Sequence, residues 1–345
     1  MSIYESLAAW VSQQLVKRSM PNAALTPIVG DAGFREYFRL ATVPPLLAVY
    51  GPPDIEKHQA FVQISEHWRQ LGVPAPEVIA YDFTQGFLLI EDFGATSLSA
   101  ILEDHSANPV GVESCYRSVL AQLHRLQRSP IQAWYPRYDS AALQVELDLF
   151  IPWFVEKLLG YVLSTDERDM LQELFDVLIA RAQAQPQVIV HRDFHCRNIH
   201  VQGGDLDQLG FIDFQDAVVG PVTYDIVSLL KDCYQCWPAS FVRSQALAYR
   251  KTLPPLLQMN TESAFLQALD MMGLQRHLKV LGIFARLHLR DGKAQYLQDL
   301  PLVLAYVLQA LEGYAEGKLV AQWFEQQLMP AIKQQPWYRS VEIQP

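Results

Sequence analysis

Two carboxylates, an amide and a histidine stand where they could do chemistry together. The run is His191-Arg192-Asp193-Phe194-His195-Cys196-Arg197-Asn198, and a second carboxylate follows at Asp213. An apolar run, Val188 to Val190, comes before it. Ile199 and Val201 come after, then a turn at Gly203-Gly204-Asp205, then Leu209 to Ile212 leading into Asp213-Phe214. Short apolar runs bounded by turn residues predict strand, loop, strand, turn and strand, with the polar residues at strand ends. A hairpin can bring Asp193, Asn198 and Asp213 to one point. There Asp193 could accept the proton of an attacking hydroxyl. The Asn198 amide oxygen and the Asp213 carboxylate could hold Mg²⁺, a hard cation that prefers oxygen and keeps several waters. Those are the parts that phosphoryl transfer needs. An H-x-D triplet alone would be an ordinary polar hairpin; the full set at these spacings carries the reading.

The rest of the chain must position that set. Its 345 residues suggest two domains or lobes, and half of them are apolar, enough for a substantial core. There are 27 Lys and Arg against 37 Asp and Glu, a formal net charge of −10. That balance argues against general nucleic-acid binding and against an anionic membrane surface, while leaving room for a local basic pocket. No run reaches the roughly 18 apolar residues of a membrane span. The N-terminus reads as an amphipathic helix with no basic region before an apolar core, so a cytoplasmic protein is expected. Of the four cysteines, Cys233 and Cys236 form a C-x-x-C. Without a second pair or a thioredoxin-like context it is read as structural, and no disulfide framework is implied.

Residues 3–18 carry apolar positions at helical spacing, and residues 26–50 read as a three-stranded meander. Its first turn, Gly30-Asp31-Ala32-Gly33, has the glycines that let backbone N–H groups approach phosphate oxygens; by itself it is an ordinary hairpin turn. A helix is predicted over 54–71, with strands near Val78 to Tyr81 and Gly86 to Ile90. The second strand runs into Glu91-Asp92-Phe93-Gly94, a hinge whose backbone could hydrogen-bond an adenine edge. Helices are expected over 112–128, through the aromatic and Leu-rich stretch 142–162, and over 166–183. His124 is read as a helix residue with no catalytic part. Thr223 or Asp225 could cap a helix continuing through Leu230. Only helices are expected beyond 240. There Arg276, Lys279, Arg286 and Arg290, at spacings of three, seven and four, share one face, whose plain reading is a solvated surface.

These residues resemble the aminoglycoside phosphotransferase family, a branch of the protein-kinase-like fold. Within it the chain is most similar to bacterial kinases of cell-wall recycling that phosphorylate N-acetylmuramate and N-acetylglucosamine at the anomeric hydroxyl. The resemblance is carried by Asp31 to Arg39, His191 to Asn198, Ile212 to Asp225, Ser228 to Tyr234 and Gln275 to Gly282, and spans about residues 28 to 305. It implies an α+β, two-lobed fold: a small β-rich nucleotide-binding lobe, 1–92, ending at the hinge, and a larger, mainly helical catalytic and substrate-binding lobe, 93–345. ATP and Mg²⁺ are the implied cofactors, bound in the cleft between lobes, and a small amino sugar the implied partner; a monomer is compatible with the sequence. Asp193 is the expected base, with Asn198 and Asp213 on the metal. Gly30, Asp31, Gly33, Phe34, Arg35, Arg39, Glu91 and Phe93 are expected on the nucleotide. Arg197, Asp216, Lys231 and Arg286 are expected on the sugar, and His191 and Asp225 support the loop. One departure stands out. Kinase-like folds carry a Lys on the third strand that pairs with the nucleotide phosphates. Here that strand is Leu47-Ala48-Val49-Tyr50, and the nearby cations are Arg35, Arg39 and Lys57. A kinase of an aminoglycoside, choline or another small alcohol, and a nucleotide-binding pseudokinase, are the competing readings.

Overall fold

The computed structural model describes residues 2–28, 34–105 and 109–345. The chain divides into two compact units, Met1–Leu126 with Arg197–Ala217, and Gln127–Cys196 with Val218–Pro345.

The first unit opens with helix α1 (Ile3–Lys17). Ser2 Oγ accepts from the Glu5 N–H at 3.2 Å, and the Ser2 N–H donates to Glu5 Oε2 at 2.8 Å. This capping box satisfies two donors that the helix start would otherwise leave bare. Strands β1 (Leu25–Ile28), β2 (Glu36–Leu40) and β3 (Leu46–Tyr50) follow, then helix α2 (His58–Gln70), β4 (Val78–Asp82) and β5 (Phe87–Glu91). The strands form one antiparallel sheet in the order β1-β2-β3-β5-β4. Successive side chains alternate between faces. Phe38, Leu40, Leu46, Ala48, Phe87 and Leu89 therefore share one face, where they pack with Leu7, Trp10, Val11 and Leu15 of α1. Tyr37, Arg39, Val49, Leu88 and Ile90 take the other. Helices α3 (Leu98–His105) and α4 (Pro109–Gln127) come next.

In the second unit lie α5 (Ser140–Leu147), α6 (Thr165–Gln183) and β6 (Gln187–Val190). The chain then re-enters the first unit as a hairpin of β7 (Ile199–Val201) and β8 (Leu209–Phe211). The hairpin is anchored by its neighbours: the Val201 N–H donates to the Thr96 carbonyl at 2.9 Å, and the Phe211 N–H to the Pro74 carbonyl at 2.7 Å. Beyond it Phe214 is fully buried against Phe61 and Trp68 of α2, with ring centroids 4.8 and 5.1 Å away.

The chain returns to the second unit for β9 (Val218–Pro221), α7 (Tyr224–Leu230), α8 (Ala239–Thr252), α9 (Glu262–Asp291) and α10 (Leu300–Gly313), with shorter helical segments after it. Helix α9 is its axis. Thr261 caps its start, accepting from the Ala264 N–H at 3.0 Å, and Gly292 ends it in a left-handed conformation at φ 68°. Helices α6, α7, α8 and α10 pack around it, and so does a π-helical segment, Phe150–Leu158. That leaves α9 buried on nearly every side from Phe265 to Ala285. Gly282 admits the Leu149 backbone, which a Cβ would overlap.

A small antiparallel sheet and a larger helical portion make up the expected α+β class, and the fold is protein-kinase-like. Four local expectations change. Strand β6 pairs with β9, a strand not foreseen because Gly220-Pro221 reads as a turn. Pro221 stands at the strand's end, where its missing N–H is tolerated. The stretch 142–162 is broken: Pro152 has no N–H to give an α-helical ladder, and the chain widens into the π-helical segment. The helix predicted over 54–71 begins only at His58, leaving Ile55 exposed. Finally, neither Thr223 nor Asp225 caps α7. The Thr223 hydroxyl donates to Gln185 Oε1 at 2.7 Å, and Asp225 serves the loop described below. Among the described residues no helix is long and apolar enough to cross a membrane.

Candidate active site

In the second unit the loop after β6 is held from below by Asp225, in the first turn of α7. Its Oδ2 accepts from the His191 N–H at 2.7 Å and its Oδ1 from the Arg192 N–H at 3.1 Å. Those bonds fix Arg192 at φ 78°, a left-handed backbone that costs a residue with a Cβ of order 1 kcal/mol or more. Asp225 is fully buried, and burial pushes its carboxyl up to about 7 against the pull of the two N–H groups and Arg276. His191 is fully buried too.

Asp193 is half-buried. Burial opposes its ionisation, but Lys279, His195, Arg192 and His191 outweigh that and hold its carboxyl below the usual range. Two of these cations, Lys279 and Arg192, are themselves fixed by Glu146 of α5. Lys279 Nζ lies 2.9 Å and Arg192 Nη2 2.5 Å from Glu146 Oε1. The Tyr138 hydroxyl and Gln275 Nε2 donate to Glu146 Oε2, the latter at 3.3 Å, and Lys279 reaches Tyr224 Oη at 3.3 Å. Burial would raise the Glu146 carboxyl, yet Lys279 and Arg192 bring it down to about 2. A carboxylate held as low as Asp193 is charged at neutral pH and is a weak base. It suits orienting a hydroxyl and taking its proton late, as the new bond forms.

In the first unit Asn198 and Asp213 flank the β7–β8 hairpin at its open end. Ile199 pairs with Phe211, and the Ile212 N–H donates to the Asn198 carbonyl at 3.1 Å. Asp213 is exposed, adopts φ 62°, and accepts from Gln215 Nε2 at 2.7 Å. One amide and one carboxylate at one hairpin end fit Mg²⁺, which is commonly bound through one or two carboxylates and keeps its remaining waters. Just past β5 Arg39 forks onto the Asp92 carboxylate, with Nη2 to Oδ1 at 3.0 Å, and the Gly94 N–H donates to the same oxygen at 2.8 Å. Glu91 accepts from the Glu77 N–H at 3.0 Å and from Arg69 Nη1 at 3.1 Å. Phe93 is buried against Gly210, and Phe34 is exposed. Gly30, Asp31 and Gly33 lie outside the described residues.

Of the residues expected on the sugar, Arg197 and Asp216 lie in the first unit and Lys231 and Arg286 in the second. Arg197 is exposed, and Asp216 pairs with Lys57 at 2.5 Å. Lys231 pairs with Asp270 at 2.8 Å, while Arg286 lies sixteen residues further along α9, about 24 Å of helix. The cationic face of α9 is likewise divided: Arg276 and Lys279 are buried, Arg290 is exposed. Sequence reasoning did not assign Glu146, Arg192, Lys279 or Gln215. Only the charge on α9, with Arg276 and Lys279 in it, signalled that any of this ground mattered.

The chain matches the phosphotransferase enzyme family over residues 24–258. It is 35% identical over 332 residues to the N-acetylmuramate/N-acetylglucosamine kinase of Pseudomonas putida, covering 92% of this chain and 96% of that protein. It is 36% identical to the protein of the same name from Pseudomonas aeruginosa, covering 88% and 89%. Among solved structures, an ADP-bound aminoglycoside phosphotransferase, APH(2'')-Ib, superposes with a TM-score of 0.58 at 13% identity, covering 89% of this chain and 98% of that one. The chain belongs to the phosphotransferase enzyme family, and its fold is that of the protein-kinase-like phosphotransferases.

Proposed function

We propose that the protein is an ATP-dependent kinase of the anomeric hydroxyl of N-acetylmuramate and N-acetylglucosamine, giving the sugar 1-phosphate in peptidoglycan recycling in the cytoplasm. Residues 1–92 serve nucleotide binding and 93–345 catalysis and sugar binding. One observation above all supports the substrate: the likeness to the Pseudomonas putida N-acetylmuramate/N-acetylglucosamine kinase extends over 96% of that protein.

In the reaction the anomeric oxygen attacks the γ-phosphorus, the bond from that phosphorus to the β,γ-bridging oxygen breaks, and ADP leaves. The hydroxyl proton passes to an Asp193 carboxylate oxygen. Anomeric hydroxyls are more acidic than other sugar hydroxyls, so a weak base suffices, and most of the rate comes from orientation. Asn198 and Asp213 hold Mg²⁺, which when bound neutralises charge on the phosphates. Arg35, Arg39 and Phe34, with Gly30, Asp31 and Gly33 and the backbone of Glu91 to Phe93, serve the nucleotide. Lys279 and Arg192, beside Asp193, are candidates for positioning the sugar. The cations around Asp193 suit a neutral or anionic acceptor and disfavour a polycationic aminoglycoside or choline.

An ATP-consumption assay across N-acetylmuramate, N-acetylglucosamine, choline and kanamycin tests this reading. Turnover of the two sugars is expected. Turnover of choline or kanamycin with neither sugar consumed would reject it.

A further inference from the structure

Glu146, in α5, meets donors from three separate stretches of the second unit. Its Oε1 accepts from Lys279 Nζ at 2.9 Å and from Arg192 Nη2 at 2.5 Å. Its Oε2 accepts from the Tyr138 hydroxyl and from Gln275 Nε2 at 3.3 Å. Four donors on two oxygens fill the acceptor positions of a carboxylate. The Glu146 side chain is only 8% exposed. Lys279 also reaches Tyr224 Oη at 3.3 Å, and the Arg192 guanidinium lies 5.5 Å from the centre of the Tyr138 ring. Both cations act on Asp193, as does Arg276 from the same helix as Lys279. A buried ion cluster stabilises a fold no better than well-packed apolar residues of the same size. Its place beside Asp193 gives this one another use.

One carboxylate shared by two cations cancels half of their charge, and the remainder acts on Asp193. The two proposed acceptors differ by a charge. N-acetylmuramate carries a lactyl carboxylate on C3, where N-acetylglucosamine has a hydroxyl. With the anomeric hydroxyl at Asp193, a group on C3 stays within about 10 Å of it, roughly the range over which charges act before salt screens them. We propose that Glu146 is a positioning residue that sets the preference between anionic and neutral acceptors, by holding Lys279 and Arg192 in place and cancelling part of their charge. Its anion keeps the neutral sugar competitive. Without that anion the same two cations draw the acceptor that brings a carboxylate of its own. This role rests on the kinase reading above.

The test measures kcat/KM for both sugars at one pH and low salt, in the parent, Glu146→Gln and Glu146→Asp, with melting temperature as the control for folding. The readout is the ratio of N-acetylmuramate to N-acetylglucosamine, which a merely structural role would leave alone because both sugars would lose together. Gln keeps the shape of Glu146, and the Tyr138 hydroxyl can turn to accept from its amide. Glu146→Gln is expected to raise the ratio roughly three- to tenfold, the effect of one charge at about 10 Å in a medium between protein and water. Added salt should shrink that rise. Glu146→Asp keeps the charge, so its ratio should stay within about twofold of the parent's even where both activities fall. A folded Glu146→Gln whose ratio is unchanged or lowered overturns the assignment. If Glu146→Gln does not fold, the decision passes to Lys279→Met with and without Glu146→Gln, a double variant in which one anion and one cation are removed together. The double variant should show the higher ratio by the same factor, and equal ratios overturn the assignment. A parent enzyme that consumes ATP with neither sugar fails the kinase reading itself, a result distinct from failure of Glu146 alone.

Discussion

At neutral pH the Asp193 carboxyl is charged because Lys279, His195, Arg192 and His191 outweigh the cost of its burial. Asp193→Asn keeps the size of the side chain and removes the proton acceptor. Its kcat should fall by about 10²–10⁴-fold, the usual worth of a positioned base, with the melting temperature close to the parent's. A steady-state assay showing activity within tenfold of the parent would take Asp193 out of that role. Asp225 titrates differently. Its folded value, about 7, lies well above the ordinary carboxylate range. The folded protein therefore holds a proton that the unfolded chain gives up. The group's contribution to stability is full below about pH 4, falls by up to ~1.4 kcal/mol per pH unit as pH rises, and is gone above its folded value. Asp225→Asn abolishes this titration. Urea unfolding at pH 5 and pH 7.5 should show the parent losing about 2 kcal/mol or more relative to the variant over that interval; a constant difference would contradict it. At this scale the loop was readable because Asp193 and Asn198 are close in sequence and their types are chemically specific. Glu146 was not, because its bond to Lys279 spans 133 residues and an isolated Glu in a helix looks solvated.

The β7–β8 hairpin was legible as an element, since its apolar runs are short and the Gly203-Gly204 turn sits between them. Its anchoring was not. Gly210 lies in the middle of β8, where a glycine often marks a close approach, and here a Cβ would overlap the Phe93 ring. Gly210→Ala should cost about 1–3 kcal/mol through overpacking and lower the melting temperature in a calorimetric scan. A variant as stable as the parent would show that Phe93 can move aside without loss. Strand β9 was hidden for another reason. Gly220-Pro221 carries the chemistry of a turn, yet the Val219 backbone is satisfied on its far side too, its N–H donating to the Pro136 carbonyl and its carbonyl accepting from the Tyr138 N–H, both at 2.8 Å. Tertiary partners decided that segment, and local propensity could not show them.

For the whole molecule, the acidic balance and the local charge point in different directions. The formal net charge is −10, while the groups gathered around Asp193 are mainly cationic. Composition speaks only of the total charge, and pairings across α5, the loop after β6 and α9 show which acceptor charge Asp193's surroundings favour. The α+β class and the family were legible from the motifs, because those segments combine fixed chemistry with fixed spacing. The central claim is that phosphate goes to a hydroxyl on the carbon bearing the ring oxygen. The direct measurement supplies ATP and Mg²⁺ with N-acetylglucosamine, or with its 1-O-methyl glycoside, and locates the phosphate by phosphorus NMR. The account predicts a 1-phosphate from the free sugar and no phosphorylation of the glycoside, which should still compete for binding. Phosphate on a ring or exocyclic oxygen, or equal turnover of the two sugars, would contradict it.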